Sequence, residues 1–155
     1  MKMRKAILND LPEIITLLAE DELGQTRESL STTIDPRYLK AFELINNDTN
    51  QFLMVVISED QMIIGTCHLT LMPSLTFSGS TRLQIEAVRI ALSYRSKKIG
   101  EWMIKEVITF GKSHGASIIQ LTTNIKRPEA KKFYERLGFE STHVGMKLYL
   151  EENSN

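Results

Sequence analysis

The stretch Leu83-Gln-Ile-Glu-Ala-Val-Arg-Ile-Ala-Leu92 runs into Ser93-Tyr-Arg-Ser-Lys-Lys-Ile-Gly100 and then Glu101-Trp-Met-Ile-Lys-Glu-Val-Ile-Thr-Phe-Gly111. Leu83, Ile85 and Ala87 share one parity and Val88, Ile90 and Leu92 the other, so a strand over 81–92 changes face near Ala87. One inserted bulge residue produces that change and frees backbone groups from the ladder. After Leu92 the period lengthens: Ile99, Met103, Val107 and Phe110 recur at helical spacing, with Trp102 widening the stripe. The turn from Tyr94 to Gly100 therefore ends a strand and begins a helix. Its N–H groups sit at the positive end of the helix dipole beside Arg95, Lys97 and Lys98, and Gly100 has no Cβ to hold a ligand away. Such a turn suits a phosphate or diphosphate. A solvated basic loop that only caps the helix is the alternative.

Length and composition narrow the field. A chain of 155 residues is expected to form one domain, 1–155, with a frayed tail at 151–155. Nineteen basic and nineteen acidic residues leave no overall field for nucleic acid or a membrane surface, so neither is expected as a partner. The single cysteine, Cys67, has no internal disulfide partner, and His68, His114 and His143 share no metal spacing. No metal is expected, and a reducing, cytoplasmic setting fits. No apolar run reaches signal or membrane-span length.

Around the central stretch the chain reads as alternating elements. Residues 3–7 form a first strand. A helix follows, capped by Asn9 or Asp10, with Pro12 in its first turn and an end near Leu23-Gly24. Residues 25–35 carry no period. Asp35-Pro36 opens a second helix that stops at Asn46-Asn47-Asp48. Residues 51–58 and 62–71 make a hairpin, and 73–80 a polar loop. After the phosphate turn and its helix come a buried strand at 116–123, a helix from Pro128 to Leu137 stopped by Gly138, and a last hairpin from Phe139-Glu140 and 146–150.

Two of these segments resemble motifs of a known family. Arg95-Ser-Lys-Lys-Ile-Gly100 after Val88-Arg-Ile90 resembles the acyl-CoA signature Arg/Gln-x-x-Gly-x-Gly/Ala of the Gcn5-related N-acetyltransferase (GNAT) superfamily, with Lys98 where the first glycine usually stands. Phe133-Tyr-Glu-Arg-Leu-Gly-Phe139 is similar to the Tyr-Glu-x-Leu-Gly-Phe motif that closes the cofactor site in that family. The resemblance implies a mixed α/β (α+β) domain. Its central sheet would have about seven mostly antiparallel strands, with a parallel splayed pair at the cofactor site, flanked by about four helices, the first two over the acceptor cleft. It implies acetyl-CoA as co-substrate, held by Val88, Arg89 and Ile90 and by the turn of Arg95, Ser96, Lys97, Lys98, Ile99, Gly100 and Glu101. The family often has a cofactor-touching asparagine seven residues before its tyrosine; here that position is Arg127, with Asn124 three residues further back, and both are candidates beside Tyr134. A homodimer built on the final strands is also implied.

Amide formation from a thioester needs an unprotonated amine, a polarised carbonyl and a proton for the departing thiolate. Glu86, acidic within an apolar strand, is the general-base candidate, directly or through a water; a carboxylate that only binds a cationic acceptor is the other reading. The bulge amides around Val88 to Ile90 suit the acyl carbonyl, as the resemblance implies, while Arg89 is expected to point to solvent. Tyr134 falls on the tyrosine that in many family members protonates the coenzyme A sulfur, a fit for a phenol of pKa ~10 facing a thiol of about 8.5. The alternative for Tyr134 is packing beside Phe133 with only a cofactor contact. The acidic cluster Glu20-Asp21-Glu22 either attracts an amine or is a solvated helix end. The reading is an N-acetyltransferase acting by direct attack in a ternary complex on a small-molecule amine, a protein N-terminus or a lysine. A non-catalytic acyl-CoA-binding or sensor module is its rival.

Overall fold

The computed structural model describes residues 1–20, 25, 26, 28 and 30–150. The chain divides into two units, Met1–Leu121 and Thr122–Asn155, each taken by itself below.

The first unit is a five-stranded sheet in sequence order β1-β2-β3-β4-β5. Strands β1 (Lys2–Lys5), β2 (Gln51–Ile57), β3 (Ile63–Pro73) and β4 (Thr81–Ile90) are antiparallel neighbours, and β5 (Ala116–Leu121) lies parallel to β4. Helix α1 (Leu11–Ala19) and helix α2 (Pro36–Asn47) separate the first two strands, and helix α3 (Ile99–Ser113) is the crossover between β4 and β5. A parallel pair needs such a crossover, and the 3.6-residue stripe of Ile99, Met103 and Val107 supplies its buried face.

Strand alternation decides which side chains serve which face. Leu83, Ile85, Leu69 and Cys67, all 2% exposed or less, belong to the face covered by α3. A Cβ placed on Gly111 of α3 would stand 3.0 Å from Leu83 Cδ2 and 3.2 Å from Ile119 Cδ1, so the helix rides close on the sheet there. Burial on this scale contributes about 1.5–3 kcal/mol per large apolar side chain. On the other face Ala6, Leu11, Ile14, Ile15, Phe42, Val55 and Ile57 pack together, joining α1 and α2 to β1 and β2.

The helix starts follow the sequence with one exception. Asp35 caps α2 through its carboxylate, which accepts from Arg37 N at 2.9 Å. Asp10 precedes α1 but makes no side-chain cap. Its carboxylate instead takes Arg4 Nη1 at 2.6 Å, Arg4 Nη2 at 3.0 Å and Ile7 N at 2.8 Å, because a bidentate charged donor outcompetes a helix amide. The end expected for α1 at Leu23-Gly24 lies outside the described residues.

The second unit contains helix α4 (Pro128–Arg136), stopped at Gly138 with φ +91°. The expected seventh and sixth strands are a correction: among the described residues 139–150 form no strand. Val144, Met146 and Leu148 are 88%, 91% and 86% exposed, and a hairpin without a third strand or a packed face is marginal in water. No helix of the described residues is long and apolar enough to cross a membrane.

Candidate functional site

The site grows from the end of β4. Its pairing with β5 stops at Ile85 opposite Leu121, where β5 itself ends, while β4 continues to Ile90. Residues Glu86 to Ile90 thus have an edge on the β5 side that its ladder does not reach. Ala87 sits in the left-handed region with φ 52°, and the register with β3 shifts between Thr66 and His68. Before the shift Arg82, Gln84 and Glu86 share the face of α1; after it Arg89 takes that face opposite Thr66, while Ile90 pairs with Gly65. This is the face change read from the apolar parity. A non-glycine residue at positive φ costs about 1–2 kcal/mol, which places stored strain at the strand's turning point.

Beyond Ile90 a 3₁₀ turn, Leu92–Tyr94, leads to the basic loop. Glu20 at the end of α1 accepts a hydrogen bond from Leu92 N at 3.0 Å through Oε2, so this member of the acidic cluster holds a main-chain amide; Asp21 and Glu22 lie outside the described residues. Arg95 Nε donates back to Ile90 O at 3.0 Å, and Lys97 Nζ stands 5.0 Å from the Tyr94 ring centroid. These two side chains therefore brace the loop in this conformation. Ser96 and Lys98 both have φ 61°. Lys98 is the residue just before α3, so the family's glycine position is one that demands a left-handed backbone, and a lysine holds it here.

The α3 ladder begins with Trp102 N donating to Lys98 O at 3.0 Å, and the first-turn N–H groups ahead of it lie at the positive helix end. The Glu101 carboxylate accepts from Lys105 Nζ at 2.7 Å, one turn up. The set suits a diphosphate: helix-start amides, exposed Ser96, Lys97 and Lys98, and at Gly100 a residue without a Cβ.

Arg89 corrects an expectation. It is half-buried, and Nη1 donates to Val88 O at 2.8 Å instead of facing solvent, because the bulge turns it onto the helix-covered face. Cys67 is fully buried at 0% exposed, and burial pushes its thiol up to about 12, so its thiolate is not populated near neutrality. Among the described residues no group of three or more histidine, cysteine or acidic side chains is arranged to hold a metal.

Glu86 is exposed and stands directly opposite His68 on β3. His68 in turn has Nε2 at 2.9 Å from Gln51 Oε1 on β2, and Gln120 Nε2 donates to Gln84 Oε1 at 2.8 Å between β5 and β4. A polar row thus crosses four strands on the face of α1. Sequence reading set His68 aside for want of metal spacing and passed over Gln51, Gln84 and Gln120; the signal was the polar member of each alternating pair, which becomes visible only once register sets the strands side by side.

In the second unit Asn124 Oδ1 accepts from Lys126 N at 2.9 Å, a local turn that occupies the side chain. Arg127 is the residue before α4, its carbonyl accepting from Ala130 N at 3.1 Å. Tyr134 packs edge-to-face on Phe133 and Phe139, with centroids 5.1 and 5.7 Å apart, and its carbonyl accepts from Phe139 N at 3.1 Å. The motif's two phenylalanines thus fix the tyrosine ring.

Comparison with known proteins agrees with this geometry. A solved structure described as a transcriptional regulator from Bacillus halodurans C-125 is 37% identical, with TM-score 0.93 over 96% of this chain and 99% of that one. Glucosamine-6-phosphate N-acetyltransferase from Arabidopsis thaliana has the same fold at 24% identity, TM-score 0.77, covering 97% and 98% of the two chains. A glucosamine 6-phosphate N-acetyltransferase of Trypanosoma brucei brucei is 31% identical over 88 residues, 57% of this chain and 58% of that relative, so the match spans little more than half of its length. The model of the acetyltransferase (GNAT) family matches residues 13–139, from α1 through both motifs, and the chain belongs to that family.

Proposed function

We propose that this chain transfers an acetyl group from acetyl-CoA to a primary amine by direct attack, with Glu86 as base and Tyr134 as acid. The observation that supports the reading is the continuation of β4 past the end of the β5 ladder, from Glu86 to Ile90, toward a helix start rich in amides and cations. Acetyl-CoA, when bound, supplies an acetyl thioester. The residues of the chain do the rest. Amides at the helix start and in the 95–101 turn hold the diphosphate. The β4 edge offers main-chain groups to the pantetheine arm and to the acyl oxygen. Glu86 takes a proton from the amine, and the Tyr134 hydroxyl gives one to the departing sulfur. The buried, protonated Cys67 supports direct attack over a cysteine-bound acyl group.

The acceptor is an amine small molecule, a protein N-terminus or a lysine. The name of the Trypanosoma relative puts glucosamine 6-phosphate on the panel to be tried first. A second reading, an acyl-CoA sensor without turnover, is favoured by the description of the Bacillus structure as a transcriptional regulator. Thiol release from acetyl-CoA across amines, amino sugars and peptides, beside a calorimetric titration of acetyl-CoA, separates the two. Turnover with any acceptor supports the transferase. Tight binding with no turnover on the whole panel gives the sensor.

A further inference from the structure

We propose that His68 is the proton store behind Glu86: it receives from the Glu86 carboxylate the proton removed from the acceptor amine, and Gln51 fixes which ring nitrogen does so. This rests on the reading of Glu86 as the base. His68 and Glu86 face each other across β3 and β4 at the last position before the register shift at Ala87, on the same side of the sheet. On the other flank, His68 Nε2 lies 2.9 Å from Gln51 Oε1. An amide oxygen only accepts, so Nε2 carries the hydrogen and the neutral ring keeps a lone pair on Nδ1.

Two opposed forces act on this ring. Burial lowers its affinity for a proton, and the charge of Glu86 raises it. Leu53 opposite on β2 and Gln51 are uncharged, while on β4 the guanidinium-bearing Arg89 comes next after Glu86 on the same face, opposite Thr66. Helix α1, which covers this face, has Glu13 as its one ionisable side chain, and that residue is exposed. Burial is the larger of the two and holds the ring below the ordinary histidine value, and the Glu86 charge opposes that fall.

The transfer balances without a further reactant. The amine N–H breaks and a Glu86 O–H forms; that O–H then breaks and an Nδ1–H forms, which restores the carboxylate. The imidazolium so formed has Gln51 Oε1 on Nε2–H and the Glu86 charge beside it, two features that offset the cost of charging a half-buried ring. Nothing is oxidised or reduced.

The test needs no acceptor at first. Imidazole nitrogens of the full chain, labelled with ¹⁵N, are followed by NMR through a pH titration. The expected result is an Nε2–H tautomer for neutral His68 and a lower titration midpoint in Glu86→Gln. An Nδ1–H tautomer, or a midpoint indifferent to Glu86→Gln, overturns the proposal. With the panel amine of highest turnover, His68→Gln keeps an amide to meet Gln51 but cannot ionise. It is expected to lower kcat roughly 10- to 100-fold with the KM for acetyl-CoA unchanged, and to add nothing in a Glu86→Gln background. Losses that multiply in the double variant show that His68 acts independently of Glu86 and overturn it. Full turnover in Glu86→Gln itself removes the base reading, and with it the store, whatever the NMR coupling.

Discussion

Gly65 and Arg89 approach so closely that a Cβ on Gly65 would stand 2.9 Å from the Arg89 carbonyl oxygen, and 2.8 Å from Ile90 Cδ1. The first of these neighbours is backbone, which cannot swing aside as a side-chain methyl can. Gly65 therefore lets β4 lie against β3 just past the bulge. Gly65→Ala is expected to cost about 1–3 kcal/mol in chemical denaturation and to weaken acetyl-CoA binding as the edge moves. Unchanged stability would show that the strand has room there.

Lys98 combines a left-handed backbone with a charge at the helix start. Lys98→Gly relieves the backbone and is expected to raise stability by about 0.5–1 kcal/mol, less the entropy a glycine loses on folding. Loss of the ammonium is expected to lower acetyl-CoA affinity and flatten its salt dependence. Tighter binding after the change would mean the side chain crowds the diphosphate instead.

At Gly100 a carboxylate would add bulk and negative charge beside the helix-start amides. Gly100→Asp is expected to abolish measurable acetyl-CoA binding in a protein that still melts cooperatively. Undiminished affinity by calorimetry would move the diphosphate away from the 95–101 turn.

Tyr134→Phe keeps the ring between Phe133 and Phe139 and removes only the hydroxyl. A proton donated in the transition state shows as a fall in turnover of roughly 10²-fold or more with little change in affinity. A hydroxyl that merely contacts the cofactor gives the reverse, a loss of about 0.5–1.5 kcal/mol in binding at constant saturated rate.

The Arg4 guanidinium, bonded twice to Asp10, holds that carboxyl below its ordinary range, and the Ile7 amide adds to the effect. A group depressed in the folded state stabilises fully above its unfolded value, near ~3.9, and less as pH falls through the lower folded value. Acid titration of stability is therefore expected to be shallower in Asp10→Asn than in the parent below about pH 4. Parallel curves would show that the pair contributes nothing specific.

Local chemistry made much of this legible beforehand. The parity switch at Ala87, the cap at Asp35 and the stop at Gly138 all depend on one to four neighbouring residues, and each was readable. The two family motifs likewise carry their own spacing. What was hidden depends on pairing across the sheet: the meeting of His68 with Glu86 and Gln51, or of Gln120 with Gln84, is a matter of register. Asp10 was misread because its competing partner, Arg4, comes from the strand before it. The missing last hairpin shows the same limit, since apolar alternation at 144–150 describes a face without naming what covers it.

The unequal lengths of β4 and β5 have one more effect, on handling. A strand that runs on past its neighbour's ladder is a template for another extended chain, and here that stretch of β4 contains the bulge at Ala87. Pantetheine and a stray strand from a neighbouring molecule would compete for the same hydrogen-bonding groups. Filling the site therefore acts as a chaperone for the edge: coenzyme A added during purification should suppress concentration-dependent association and raise Tm together, by mass action on the folded state.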